Sequence, residues 1–314
     1  METIMVTGAT GVIGAPATQE LVRMGHRVVG FDLAPNRARL GPEGDDVDIV
    51  TGDIADADGL TKALRRHKVG RVLHTAAATG GVTDPLTIAR ANGIGTGAVF
   101  EAALRLGLAR VCWTSSSGVY GRANQYPSDR LVDEDDLVGP FSVYRASKVL
   151  CEQMSITYRE RGLDTIGVRP VASFGLGRSG NGIGLLSDAV RDVALGKPAV
   201  FPSMFGPPSA TWQPMYAADA AGTLVAGTLV ERTEHGIFNA PVSEIYTVGD
   251  TMRVLADLAP GCELTMGPPV PKEAMVDSPL LDGSRAKKEL GYLPRYTLRG
   301  AFEEMIERYR AGEQ

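Results

Sequence analysis

Two side chains in the run Tyr144-Arg145-Ala146-Ser147-Lys148 have types and spacing suited to moving a proton. Residues four apart on a helix share a face, so a phenol and an ammonium at this spacing point into one cleft. A free tyrosine titrates near pH ~10, and a fixed cation beside a phenol favours the phenolate. Closing the gap to neutrality takes roughly three pK units, or about 4 kcal/mol of differential stabilisation. Many solvated helices carry the same spacing, so its meaning rests on the elements around it.

Those elements alternate. Short β-branched runs at Thr3–Thr7, Arg27–Asp32, Val47–Thr51, Arg71–Thr75, Arg110–Thr114 and Asp164–Arg169 are separated by helical patterns over Val12–Met24, Asp56–Arg66, Thr87–Leu106 and Ser142–Arg161. Alternation of this kind predicts βαβ units, a doubly wound parallel sheet of Rossmann type. From Pro170 onward Gly and Pro become dense, between Gly175 and Pro208 and again between Pro260 and Pro271. Residues 1–170 therefore read as a nucleotide-binding domain and residues 171–314 as a smaller α/β substrate-binding lobe, with segments near 210–240 returning to the core.

The run Gly8-Ala9-Thr10-Gly11-Val12-Ile13-Gly14 follows the first strand and opens the first helix. Glycines there permit a tight turn and close approach to a pyrophosphate, while the amides of Val12, Ile13 and Gly14 and the helix dipole face the phosphates. Asp32, eighteen positions after Gly14, ends the second strand. A carboxylate there accepts from the adenosine ribose and repels a 2′-phosphate, which favours NAD over NADP. Arg37 and Arg39 lie in the next loop, where one reaching back would soften that preference.

Composition removes several partners. A net charge of −5 with scattered basic residues lacks the footprint of a nucleic-acid binder. The three cysteines, Cys112, Cys151 and Cys262, are too few and too scattered for a disulfide framework or a zinc site, and no metal site is expected. Together with an N-terminus that leads directly into a strand-like run, this reads as a cytoplasmic protein without a membrane span. The acidic run Asp133-Glu134-Asp135-Asp136 reads as a solvated loop.

Assembled, these residues resemble the extended short-chain dehydrogenase/reductase family, which includes NAD-dependent sugar epimerases and dehydratases. The likeness spans nearly the whole chain. It includes the Gly8/Gly11/Gly14 loop, Asp53-Ile54, His74-Thr75-Ala76-Ala77, Asn92, Ser115-Ser116-Ser117-Gly118-Val119-Tyr120-Gly121, Tyr144-x-x-x-Lys148, Arg169-Pro170 and Lys288-Glu289-Leu290-Gly291-Tyr292-x-Pro294. The resemblance implies that Asp53 and Ile54 meet the adenine, and that Ala76, Ala77, Ala78 and Pro170 line the cofactor. It makes Ser116, four before Tyr120, the hydroxyl that orients the substrate oxygen, with Ser117 beside the substrate. Tyr144 then moves the proton and Lys148 holds the nicotinamide ribose. Asn92 is implied to be architectural, and His74 reads as a satisfied strand-end histidine.

Family dehydratases carry an Asp-Glu pair where this chain has Ser117 and Gly118, so dehydration is disfavoured. The family's nucleotide-sugar epimerases present an arginine about seven residues before an aspartate that corresponds to Asp219, and that position here is Trp212. An indole cannot supply the forked cationic contact of a diphosphate. The sequence alone thus favours an NAD-dependent dehydrogenase for a small sugar, sugar acid or polyol, with Trp212 lining the pocket and Arg178 meeting a carboxylate or phosphate. Epimerisation is the alternative, and an NAD-sensing regulator without chemistry a second. On the Tyr144 helix, Val143, Leu150 and Met154 form one apolar stripe, and Val149 and Ile156 another. One stripe is expected on the sheet and the other against a second subunit of a homodimer.

Overall fold

In the computed structural model, residues 2–79, 84–180, 182–271, 275 and 277–313 are described. Strands β1 (Thr3–Thr7), β2 (Arg27–Asp32), β3 (Val47–Thr51), β4 (Arg71–His74), β5 (Arg110–Thr114) and β6 (Thr165–Arg169) fall where the sequence puts them. Short strands β7 (Ser173–Phe174), β8 (Ala199–Phe201), β9 (Thr211–Trp212) and β10 (Met215–Tyr216) then leave this sheet, and β11 (Ile237–Asn239) returns to it. The result is one seven-stranded sheet of order β11-β6-β5-β4-β1-β2-β3, parallel throughout. Strand order reverses between β1 and β4, the point at which an open α/β sheet leaves a crevice at the carboxyl ends of its strands.

Helices α1 (Gly14–Arg23), α2 (Ala57–Arg66), α3 (Pro85–Ile88), α4 (Gly95–Leu106) and α5 (Val143–Glu160) follow in turn. The expected single helix over Thr87–Leu106 contains a π turn at Ala89–Ile94, with Asn92 inside it. Both faces of the sheet are covered, so β1 contributes Ile4, Met5 and Val6 with no exposed surface. Leu21 and Leu224 pack on one face, Leu60, Phe100 and Trp113 on the other.

Helices α6 (Gly184–Ala194), α7 (Ala217–Leu229), α8 (Val248–Asp257), α9 (Ser284–Glu289) and α10 (Leu298–Arg310), with β12 (Tyr246–Thr247) and β13 (Leu264–Met266), complete the chain. The lobe has its own core, in which Phe174, Phe201, Phe205 and Phe302 meet. Buried Asp219 on α7 anchors the segment between α9 and α10, its Oδ1 accepting from the Tyr292 hydroxyl at 2.6 Å and the Arg295 amide at 2.8 Å. Burial raises the Asp219 pKa against those hydrogen bonds. Among the described residues no helix is long and apolar enough to cross a membrane.

Helix α5 departs from the expected stripes. Its buried face is Ser147, Lys148, Cys151, Glu152 and Ser155. Met154 packs toward the sheet and Val149 against Val119 and Tyr120, but Val143, Leu150 and Ile156 are exposed, so each stripe is split. A polar face can be buried because its groups are partnered: Cys151 donates to the Asn92 carbonyl at 3.2 Å, and Ser155 Oγ lies 2.8 Å from Thr165 Oγ1.

Candidate active site

The glycine run closes on itself. Gly8 has a φ of 66°, and a Cβ there would lie 2.8 Å from the Ala76 nitrogen; one on Gly14 would lie 1.9 Å from the Gly8 oxygen. Only glycine lets β1, the β4 end and the start of α1 approach this closely. The Gly11 amide donates to Gly8 O at 2.9 Å, whereas among the described residues the Val12 and Ile13 amides have no acceptor. No side chain caps α1 at Ile13. Free N–H groups at the positive end of a helix, beside a turn without side chains, fit a dinucleotide pyrophosphate.

Asp32 locks this turn. Its Oδ2 accepts from the Thr10 amide at 3.0 Å and the Thr10 hydroxyl at 2.8 Å, and its Oδ1 from the Ala34 amide at 3.3 Å. Arg39 does reach back, to the carbonyls of Thr10 at 3.3 Å and of Gly177 in the lobe at 3.2 Å. Asp53 accepts from the Ala55 amide at 2.9 Å and pairs with Arg90 at 2.8 Å, while the cap of α2 is Asp56. Ile54 is buried in the core. Ala76 donates to Thr7 Oγ1 at 3.3 Å, and Ala78 exchanges two hydrogen bonds with the Asn92 amide, at 2.8 and 3.0 Å. Ala77 lies between them, so Asn92 in its π turn holds the alanine run against the sheet end.

Tyr144 and Lys148 sit on the first two turns of α5, which Ser142 caps by accepting from the Arg145 amide at 3.3 Å. Tyr144 is half-buried and Lys148 buried, with its Nζ donating to the Thr114 carbonyl at the end of β5 at 2.7 Å. Ser116 begins the short turn Ser117–Val119 that follows β5, its Oγ accepting from the Gly118 amide at 3.0 Å. The Ser117 amide donates to the Pro170 carbonyl at 2.9 Å, joining this turn to the end of β6. Ser116, Lys148 and Pro170 are thus gathered at the carboxyl ends of β5 and β6, with the glycine turn at the end of β1.

His74 has its ring nitrogens 2.6 Å from Thr7 Oγ1 and 3.0 Å from Thr96 Oγ1. Burial, and after it the Lys148 charge, pull its pKa down from 6.5 to about 3. Protonation therefore favours the unfolded chain, and this contribution to stability, complete above the unfolded value, is lost as pH falls from 6.5 toward 3. Urea unfolding of His74→Gln should show the stability difference between pH ~7 and pH ~5 reduced by roughly 2 kcal/mol. An unchanged difference would refute this account.

Beneath the site lies a network that the sequence reading missed. Glu152, two turns after Tyr144, pairs both oxygens with Arg169 of β6 at 2.8 Å, and its Oε1 also accepts from Ser115 Oγ at 2.6 Å. Arg169 donates in addition to the Tyr120 hydroxyl at 2.5 Å, which lies 2.8 Å from the Asp133 carbonyl. Both charged side chains are 5% exposed. The available signal was Glu152 itself, on the helical face of Tyr144 and Lys148.

Two other side chains lie elsewhere than expected. Trp212 turns into the lobe core, 6% exposed, stacked on Phe205 at 4.4 Å with its indole N–H on Thr251 Oγ1 at 3.1 Å. The acidic run is not wholly solvated: Glu134 is buried, accepts from the Asn239 amide at 2.6 Å and faces Arg285 at 3.4 Å, because it joins the loop to the sheet edge at β11. Arg178 lies in the loop after β7, donating to the Ser173 carbonyl at 2.5 Å. Burial lowers its pKa, and Tyr144 is the charge partner that opposes this.

A doubly wound sheet with a glycine turn of this shape at its switch point defines a dinucleotide-binding Rossmann protein. The family model described as NAD dependent epimerase/dehydratase family matches residues 4–240. The chain belongs to that family, within the extended short-chain dehydrogenases/reductases, and its site fits the family's cofactor, NAD. It is 38% identical over 180 residues to a UDP-glucose 4-epimerase of Mycolicibacterium smegmatis, covering 54% of this chain and 56% of that one. It is 30% identical over 180 residues to a 2-alkyl-3-oxoalkanoate reductase of Stenotrophomonas maltophilia, covering 55% and 52%. The matched stretches thus span about half the length of these curated relatives. The Thermus thermophilus UDP-glucose 4-epimerase, solved with NAD, has the same fold, with a TM-score of 0.85 at 22% identity over 98% of this chain and 99% of that one.

Proposed function

We propose that the protein inverts a secondary carbinol by way of its ketone, acting as an NAD-dependent epimerase. NAD, when bound, supplies the hydride acceptor and donor. In this reading Tyr144 takes and returns the carbinol proton, Ser116 orients the oxygen, and Lys148 supplies the positive charge that a phenol needs beside it to part with its proton. The observation that carries the proposal is the buried Lys148 ammonium anchored to the Thr114 carbonyl on the helical face of Tyr144, at the sheet end that also holds the glycine turn. The sequence alone placed net oxidation ahead of epimerisation, and the epimerase relative supports the opposite order. Ser117 and Gly118 offer no acid to a leaving hydroxyl. Position 212 carries no arginine, which supports a small substrate without a nucleotide handle, although the indole itself packs on Phe205 in the lobe core.

The test is incubation with NAD and a panel of aldoses, sugar acids, polyols and UDP-sugars, followed by NMR and nicotinamide absorbance. An epimer should form without lasting nicotinamide reduction. Lasting reduction with an oxidised product would install the second reading, net dehydrogenation, which the reductase relative favours. NAD binding with no product of either kind would leave a nucleotide sensor.

We also propose a homodimer through α5, since Leu150 is 51% and Ile156 44% exposed, with Ile94 63% exposed in the neighbouring π turn. Sedimentation giving only single-chain mass at working concentration would rule it out.

A further inference from the structure

We infer that Arg39 is a positioning residue: with Gly177 it fixes the substrate lobe against the glycine turn. This rests on the proposed epimerase reading, in which the lobe beyond Pro170 holds the substrate. The arginine is first anchored to the domain. Its amide donates to the Asn36 carbonyl at 3.1 Å, and its carbonyl accepts from Gln19 Nε2 of α1 at 3.3 Å. The Asn36 amide donates to Thr10 Oγ1 at 3.1 Å, the same hydroxyl that donates to Asp32. The base of the side chain is therefore tied to the turn that faces the cofactor.

From that base the guanidinium crosses to the lobe. Nη1 donates to the Thr10 carbonyl at 3.3 Å and Nη2 to the Gly177 carbonyl at 3.2 Å. Gly177 has a φ of 78°, and a Cβ there would lie 2.7 Å from Arg39 Cζ. Glycine at 177 is thus needed twice, for its backbone conformation and for the close approach of the guanidinium. Within the lobe the same loop is pinned by Arg178 on the Ser173 carbonyl and by the Gly180 amide on Asp188 Oδ2 at 2.7 Å. Arg39 ties this pinned loop to the domain.

The contact sits where the two halves face each other. Gly11 and Val12 of the turn, Arg39, and Leu176 of the lobe line one crevice of about 630 Å³. Also lining it, Arg295 pairs with Glu20 of α1 at 2.6 Å, but that arginine is 48% exposed and salt screens such a bridge. Arg39 differs: among the described residues it forms no ion pair, its acceptors are two main-chain carbonyls, and its Nε is buried without a partner. A rigid fork bonded to main chain on both sides of a gap fixes the separation of the two backbones. Ser116, Tyr144 and Lys148 belong to the β5 end and α5, outside this contact, so its loss loosens the hold on substrate rather than the chemistry.

Hydrogen exchange of the NADH-loaded protein, read by mass spectrometry, tests the contact without any substrate. Arg39→Gln and Gly177→Ala should each speed exchange over residues 176–180 roughly tenfold to a hundredfold, while β5 and α5 exchange as in wild type. Arg39→Lys, which reaches one carbonyl at a time, should fall between. In turnover of the panel sugar that is epimerised, Arg39→Gln and Gly177→Ala should raise KM roughly tenfold and leave kcat within about threefold. Unchanged exchange over residues 176–180 in both variants, faster exchange spread over the whole chain, or a fall in kcat at unchanged KM would overturn the inference. Epimer formed by wild type, with the same KM in both variants, would sink it and spare the epimerase. Local exchange changed as expected in proteins that turn over no sugar would keep the contact and end that reading.

Discussion

Replacing Tyr144 with phenylalanine is expected to lower kcat for the carbinol reaction by roughly 10²- to 10⁴-fold, the usual weight of a positioned acid-base group. The ring is kept, so packing around the first turn of α5 should persist and NAD should bind with little change. Lys148→Met should differ, because it also removes the ammonium that ties α5 to the Thr114 carbonyl at 2.7 Å. Loss of turnover there should be accompanied by weaker NAD binding, read by titration with the dinucleotide. Ser116→Ala is expected to fall between wild type and Tyr144→Phe, since in the proposed reaction Ser116 would orient the oxygen without carrying its proton. Turnover of Tyr144→Phe within about threefold of wild type, on any substrate for which the phenol is the only base within reach, would remove Tyr144 from the mechanism.

Glu152→Gln is expected to be the most damaging substitution for folding. It leaves Arg169, 5% exposed, without its carboxylate, and breaking one side of a buried pair typically takes about 3–5 kcal/mol from stability. Burial opposes the Arg169 charge, and Glu152 together with the Tyr120 hydroxyl more than restores it, so the arginine depends on its carboxylate. The pair also spans the ends of β5 and β6 and the face of α5 below Tyr144, so turnover should fall with stability. Glu152→Leu combined with Arg169→Met should recover part of the lost stability, because two apolar side chains need no partner. Urea midpoints of the single and double variants decide this. A single variant as stable as wild type would show that water or another side chain compensates the freed arginine.

The glycine triplet, the alternation of strands and helices and the Tyr144–Lys148 spacing were legible because each is local. A positive φ at Gly8, the four-residue spacing of Tyr144 and Lys148 on α5 and the apolar, β-branched run of β2 are each written within a few residues. His74 was legible too, as a satisfied histidine at a strand end. Four things were not. The apolar stripes on α5 suggested the wrong buried face, because periodicity reports hydrophobicity and this helix buries partnered polar groups instead. Glu134 reads as one acid among four until β11 is laid beside β6. Trp212 reads as a pocket residue until the Phe205 ring is placed against it. Glu152 reads as one charge among several on α5 until Arg169 of β6 is laid beside it.

Local sequence alone determined that this chain would wind into a parallel sheet, turn tightly enough after β1 to cradle a pyrophosphate, and place a phenol and an ammonium on one helical face. Each of these follows from sterics and periods acting over fewer than about ten residues. Only the tertiary structure decided which charges would be paired and which left open. Glu152 and Arg169 found each other across 17 positions, while Arg145 came to rest on the Phe141 ring and Arg178 on the Ser173 carbonyl, neither in an ion pair among the described residues. Pairing over such distances depends on which strand ends meet, and that is set by the packing of the whole sheet.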